Sequence, residues 1–469
     1  MQSKVVHQTA IDIRHFLQQR PIQDYLLISP KEITKAKQKT QKQKKNPHSN
    51  INFRLVENQV FHYGTLMKSY AFILGRKNLL STAELQAVLK PENHIIDLGR
   101  ETLIAAFKQP LTRPQESLNK LGGTTKIAEV FAEFPLSAED FASPVSAHLI
   151  ETLGDQSGKL PYGLSVYNFS QKHEVIIKKV LINVKKSLKA TGIKSRFINK
   201  NFGNLKTAAI IGEKLIQKGA EILIIQGDQK IYFAQTVAIQ DIDAYSHRDF
   251  SRPVRNARLG MLPPKLAQIM INLGGKTNLD NPPEKGTTLY DPFAGIGTIL
   301  TEGLLMEYNV VGSDINQEVL DGSQENISWT YQQDRNIAHT SRLFLKDATT
   351  LKPNDLPEEI NLVVTESYLG PPLKNVPEQG QIARNFKHIH ETIIRFFREI
   401  HPILQAKTPI IISFPAYRDG KKYHTIQALS AEIEQLGYKK DPLLETHESL
   451  IYDRPDQTVC REIHRFILK

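Results

Sequence analysis

Cysteine is almost missing from this 469-residue chain, with Cys460 the sole one. An intramolecular disulfide is therefore excluded, as are zinc or iron–sulfur sites built from several cysteines, and the lone thiol fits a reducing compartment as an ordinary buried side chain. Long apolar runs are lacking too: no stretch reaches the roughly 20 residues that a membrane-spanning helix needs. The first thirty residues mix Asp, Arg and Gln where a secretory leader would carry an apolar core. These absences predict a cytoplasmic protein with no membrane contact. The fifteen histidines are scattered without metal-ligand spacing, so no metal is expected, and His388, His390 and His401 read as helix-surface residues. Acidic residues fall short of basic ones, 49 against 60, which leaves a net charge of +11. That excess favours a polyanionic partner, because each phosphate neutralised by Lys or Arg releases condensed counterions.

What is present is the composition of a folded protein, 40% hydrophobic and 23% charged. The length predicts two to four domains of about 100 to 200 residues each. Lys31 to Asn50 is Lys/Gln-rich with only Glu32 opposing it, so residues 1–66 read as a basic, partly disordered extension, a spacer or an arm on a nucleic-acid backbone. From Tyr70 a strand (Ala71–Gly75), a helix opened by a Ser81-Thr-Ala-Glu84 capping box, strands at Ile95–Leu98 and Thr102–Phe107, a helix Arg113–Leu121 and a strand Lys126–Phe134 follow in turn. This β-α-β-β-α-β order predicts a ferredoxin-like unit. A second mixed unit runs from about Pro161 to Ile242. Its helix carries Ile177, Val180, Leu181, Val184 and Leu188 on one side, with Lys178, Lys179, Lys185, Lys186 and Lys189 on others. Lys194, Arg196, Lys200 and Lys206 extend the positive region, which suits either a solvated face or one that follows a phosphate backbone.

From Thr288 short apolar strands alternate with helices, the pattern of a doubly wound α/β domain. Leu289-Tyr-Asp-Pro-Phe-Ala-Gly-Ile-Gly-Thr298 is a strand that ends in a glycine-rich turn, where backbone can approach a ligand closely. The turn lacks the Lys of an NTPase phosphate loop, and Leu300 stands where a dinucleotide fingerprint has its third Gly. The next strand ends at Asp314, placed to accept hydrogen bonds from ribose hydroxyls, and a third, Ser341–Leu345, leads to Asp347, placed to accept an adenine amino group.

Taken together these motifs resemble the class I S-adenosylmethionine-dependent methyltransferases, and more closely the THUMP-domain tRNA guanine-N2 methyltransferases of archaea and eukaryotes. The resemblance rests on Tyr70–Gly75 with Leu80–Glu84, Arg248-Asp249 with Arg252-Pro253, Ala257–Gln268, the glycine-rich turn, and Tyr452–Val459 with Arg461. It implies an α/β protein whose C-terminal Rossmann-like methyltransferase domain (246–469) follows a ferredoxin-like domain (67–140) and a THUMP RNA-binding domain (141–245). The implied cofactor is S-adenosyl-L-methionine, held by Asp291, Phe293, Gly295, Gly297, Thr298, Asp314, Ile315, Asp347 and Ala348. The implied partner is tRNA, bound through Lys178, Lys185, Lys186, Lys189, Lys194, Arg196 and Arg255; the THUMP-like module argues against DNA, and a small activating subunit, as some relatives need, stays open. The family's catalytic strand normally ends in Asp-Pro-Pro-Tyr, whereas here Glu366-Ser-Tyr-Leu-Gly-Pro-Pro372 follows Thr365. Glu366 is expected to accept hydrogen bonds from an exocyclic amine and Tyr368 to stack on the base. The expected reaction is methylation of guanosine N2, at position ten in the family; methylation of another RNA base, and a non-catalytic RNA-binding protein that retains the cofactor fold, are the alternatives.

Overall fold

The computed structural model describes residues 67–89, 93–154, 158–255, 261–356, 359–371, 373, 375–447, 449–455 and 457–469. The extension 1–66 with its Lys31–Asn50 arm, residues 257–260 of the Ala257–Gln268 motif, and Pro372 lie outside them. No helix among the described residues is long and apolar enough to cross a membrane.

The first six elements are β1 (Lys68–Leu74), α1 (Asn78–Val88), β2 (His94–Leu98), β3 (Thr102–Phe107), α2 (Pro114–Asn119) and β4 (Thr124–Pro135). The strands pair antiparallel in the order β2-β3-β1-β4, which is a ferredoxin-like sheet. Along β1, Tyr70, Phe72 and Leu74 enter one apolar cluster and Ala71 and Ile73 another, since alternate side chains leave opposite faces of a strand. Covering on both faces is why the segment reads as a continuous apolar run.

The next elements are α3 (Ala142–Leu153), β5 (Leu160–Tyr167), α4 (His173–Ala190), β6 (Ser195–Phe197), α5 (Thr207–Gly212), α6 (Leu215–Lys218), β7 (Ala220–Gln226) and β8 (Lys230–Ile239). β8 pairs antiparallel with β4 from Lys126↔Ile239 to Pro135↔Lys230, so one eight-stranded sheet, β2-β3-β1-β4-β8-β7-β5-β6, runs unbroken past residue 140. Helix α4 buries Ile176, Ile177, Val180, Leu181, Val184 and Leu188 and leaves its lysines exposed. Where the sheet joins its two halves, Lys126 of β4 donates to Glu221 of β7 at 2.5 Å, and Ser165 and Thr236 donate to the same buried carboxylate. A buried charge is tolerated when it is paired and hydrogen-bonded in this way.

The C-terminal part comprises α7 (Ile242–Phe250), α8 (Pro264–Leu273), β9 (Thr288–Asp291), α9 (Thr298–Leu305), β10 (Asn309–Asp314), α10 (Gln317–Gln333), β11 (Ser341–Leu345), β12 (Leu362–Glu366), α11 (Gln379–Ile400), β13 (Pro409–Asp419), β14 (Lys422–His424), α12 (Leu429–Gln435), β15 (Tyr438–Lys440), β16 (Leu450–Tyr452) and β17 (Val459–Leu468). Its sheet has the order β11-β10-β9-β12-β13-β17-β15, parallel from β11 to β13 and closed by antiparallel β17. Leu289, Leu362 and Val364 pack on one face with α8 and α9, while Tyr290, Val363 and Ile412 pack on the other with α11. The chain steps outward from β9 to β11 and then returns to β12 on the far side of β9. Such a reversal parts the connections and opens a crevice at the carboxyl ends of the strands.

One expectation is corrected here. Ser81–Glu84 is not a capping box: α1 begins at Asn78, and the Ser81 hydroxyl donates to the Lys77 carbonyl. Glu84 is instead fully buried, accepting the N–H groups of Gly122 (2.9 Å) and Gly123 (2.8 Å) and the Asn272 amide of α8 (2.8 Å). The interior outcompetes the cap because buried N–H groups left unmet cost more than a helix start open to water. Burial pushes the Glu84 carboxyl up to about 7. A Cβ on Gly122 would overlap the Lys265 carbonyl oxygen, so the two modules touch backbone to backbone at this glycine. Leu80 and Ala83 of α1 belong to the C-terminal core, whereas Leu85 and Val88 belong to the N-terminal one.

Candidate active site

The crevice is a cavity of about 720 Å³ at the carboxyl ends of β9, β10, β11 and β12. Its floor begins with Asp291, only 1% exposed, whose Oδ1 accepts the Thr365 hydroxyl at 2.6 Å and the Phe293 N–H at 3.2 Å. Burial, with Asp314 and Glu366 nearby, pushes this carboxyl up to about 7. The turn that follows is fixed at both glycines. Gly295 has φ +53° and its N–H donates to Asp314 Oδ2 at 2.9 Å. Gly297, at φ +81°, starts α9 in a left-handed conformation, and a Cβ there would overlap Ser323 Oγ of α10. Asn326 of α10 donates to the Ile296 carbonyl at 2.9 Å and exchanges two hydrogen bonds with the Val254 backbone.

At the end of β10, Asp314 holds the turn through Oδ2 and the Asn316 N–H through Oδ1, which leaves each oxygen a further lone pair. Ile315 beside it is 69% exposed, an apolar side chain presented to the cavity. After β11, Asp347 accepts both the N–H and the hydroxyl of Thr349 through Oδ1 at 2.8 Å, and Ala348 is buried next to it.

β12 delivers Glu366. Arg461 of β17 reaches it with two guanidinium nitrogens, Nε to Oε1 and Nη2 to Oε2, the second at 3.2 Å. Ser367 turns inward and donates to the Ser413 carbonyl at 2.8 Å, which throws Tyr368 outward, half exposed and edge-on to His388 at 6.4 Å. The opposite wall is α11, which presents His388, Glu391, Thr392 and Arg395 to the cavity and buries Ile389, Ile393, Phe396 and Phe397.

Of the nine residues expected at the cofactor, eight line this cavity: Asp291, Phe293, Gly295, Thr298, Asp314, Ile315, Asp347 and Ala348. Gly297 does not, standing behind the turn against α10, and the Thr298 hydroxyl is already engaged by Arg252 at 2.7 Å. Glu366 and Tyr368 line it as well. The residues expected on RNA lie elsewhere. Lys178 and Lys185 sit over the rings of Phe202 and Phe197 at 5.6 and 5.4 Å, Arg196 pairs with Glu213, Arg255 stands over Phe250 at 5.1 Å, and Lys186, Lys189 and Lys194 are exposed. His388 is a cavity residue as well as a helix-surface one, which the sequence reading missed although spacings of three and four from 388 to 395 mark one helix face. His390 pairs with Glu432 at 3.2 Å, and His401 lies edge-on to Tyr438. Arg461 was visible only as part of a late motif, with nothing to name its partner.

Residues 252–396, just under a third of the chain, match the model of a family described as RMKL-like, methyltransferase domain, and this stretch includes β9 to β12 with their cavity. The chain is 33% identical over 111 residues to the tRNA (guanine(10)-N2)-dimethyltransferase of Methanothermobacter thermautotrophicus, covering 24% of this chain and 28% of that protein. It is 34% identical over 82 residues to the enzyme of the same description from Pyrococcus abyssi, covering 18% and 20%. The matched stretches thus span about a quarter of these relatives' length. The solved structure of TrmN from Thermus thermophilus is similar over 86% of this chain and 100% of its own, with a TM-score of 0.46 and 15% identity.

Proposed function

We propose that this protein is a cytoplasmic S-adenosylmethionine-dependent tRNA methyltransferase that places a methyl group on the exocyclic N2 of a guanosine, the position-ten nucleotide named for its relatives. The observation that carries the reading is the sharing of one cavity: Glu366 and Tyr368 stand in the same space as Asp314, Ile315 and Asp347.

The residues present fit the cofactor. Asp314 keeps lone pairs for ribose hydroxyls, exposed Ile315 and buried Ala348 suit the faces of adenine, Asp347 suits its amino group, and the Phe293–Gly295 turn suits the amino-acid end. When bound, S-adenosylmethionine supplies a methyl group already activated on its sulfonium, so positioning dominates the protein's contribution. Glu366 accepts the N–H donors of the target base and Tyr368 stacks on its ring. N2 takes the methyl as the carbon–sulfur bond of the donor breaks with its electron pair left on sulfur, and the proton that N2 sheds leaves along its hydrogen bond to Glu366 and on to solvent.

In this reading 67–140 is the ferredoxin-like domain and 141–245 the THUMP domain, and the exposed lysines of α4 with Lys194, Arg196 and Arg255 follow the tRNA backbone. The test is incubation of purified protein with unmodified tRNA transcripts and methyl-labelled S-adenosylmethionine, followed by digestion to nucleosides and mass spectrometry. Label in N2-methylguanosine is the expected result. Label in another nucleoside would move the substrate, and tight binding of tRNA and cofactor without label would point to a missing activating subunit or to a non-catalytic protein.

A further inference from the structure

The late motif Tyr452–Val459 with Arg461 has so far no role, although it lies across the sheet from the site. Tyr452 of β16 is paired in register with Arg461 of β17, and Arg461 in turn lies opposite Pro415 of β13, the neighbour of β12. The register thus carries the Arg461 side chain to the end of β12. That side chain is 4% exposed and grips both oxygens of Glu366, itself 18% exposed at the cavity wall. A glutamate side chain has one more rotatable bond than an aspartate, and a guanidinium fork is the group that removes such freedom, because it fixes the carboxylate in one plane.

We propose that Arg461 is the positioning and specificity residue of this site: it clamps Glu366 as an acceptor-only pair that selects guanine. The inference rests on the N2-guanosine reading above. A carboxylate offers about four lone-pair sites; the fork takes one on each oxygen and leaves one on each for a ligand in the cavity. Guanine presents two adjacent donors, N1–H and N2–H, which match those two acceptors. Adenine presents one donor beside an acceptor nitrogen, so one of the two remaining sites on the ion-paired carboxylate would face a lone pair.

The test is a double-mutant cycle on the full-length enzyme with unmodified tRNA, using Arg461→Met, Arg461→Lys, Glu366→Gln and Arg461→Met/Glu366→Gln, with kcat, KM, calorimetric cofactor affinity and product nucleosides measured for each. Arg461→Met is expected to lower kcat on guanosine about 100-fold, the scale set by ångström misplacement of a reacting group, with cofactor affinity unchanged. Arg461→Lys keeps the charge but not the fork and is expected to fall between. The double variant is expected to be no slower than the worse single one, since both changes remove the same clamp. Arg461→Met at the wild-type rate, or losses that multiply in the double variant, would overturn the proposal. Should Arg461→Met fail to bind cofactor, Arg461→Lys decides, and its retention of the full rate overturns the clamp equally. A wild-type enzyme that labels no guanosine sinks the N2 reading and this inference together, whereas guanosine labelling indifferent to Arg461 sinks the clamp alone.

Discussion

Both sheets among the described residues contain parallel strands joined through helices, and the candidate site sits on the C-terminal one. In the N-terminal sheet β6 is three residues long, and the space beyond it next to β5 is filled by side-chain amides. Asn199 bonds both the N–H and the carbonyl of Leu164, and Asn204 does the same for Val166, so two asparagines complete the strand where backbone has run out. In the C-terminal sheet the corresponding ends of β9 and β12 diverge, and a glycine turn leaves about 720 Å³ open, with carboxylates around it. The difference is that one strand edge has its backbone groups met from within, whereas chain reversal at the other leaves an open cavity with room for a ligand.

The sharpest way to break that contrast is Glu84→Ala, which strips the acceptor from Gly122, Gly123 and Asn272 at the junction of the two modules. It is expected to cost about 4 kcal/mol in denaturant melts while activity per folded molecule is kept. The same residue has a pH signature. The Glu84 carboxyl is raised from its ordinary 4.5 to about 7, so the folded state holds the proton more tightly and the stability contributed is complete below the unfolded value and lost as pH rises through about 7. The stability of wild type relative to Glu84→Gln should therefore decline between about pH 5 and about pH 8; a flat difference in thermal melts would refute it.

Next in size is Gly297→Ala, which imposes a side chain at φ +81° against Ser323. It is expected to destabilise by about 3 kcal/mol and to weaken cofactor binding about tenfold, read by calorimetry, because it displaces the turn that Asp314 holds. Asn199→Ala is the matching change in the N-terminal sheet, with an expected loss of about 2 kcal/mol and no change in cofactor affinity. If both substitutions altered cofactor binding alike, the contrast between filled and open strand ends would fall. The smallest effect is expected from Lys178→Ala with Lys185→Ala: tRNA affinity measured against salt should lose about one unit of slope per phosphate contact, with cofactor affinity untouched.

Much of the lining of the C-terminal cavity was legible along the chain because its contacts are local. An apolar strand, a glycine turn and an acid at the next strand end follow one another within a few dozen residues, and a parallel α/β sheet places successive strand ends side by side. The buried face of α4 was legible for the same reason, its apolar residues recurring at helical spacing. The reading of Ser81–Glu84 failed because a capping box and a buried staple share one local pattern, and only the partners tell them apart.

By itself, then, the amino-acid sequence determined what depends on neighbours in the chain: the α/β order, the positions of the strand-end carboxylates, the basic face and the exclusion of an intramolecular disulfide. The tertiary structure decided what depends on partners brought from afar. Glu84 finds Asn272 across 188 positions and Arg461 finds Glu366 across 95. No periodicity encodes such pairs, because a buried carboxylate takes whichever donors the packed sheet leaves within reach, and that choice exists only once the sheet has formed.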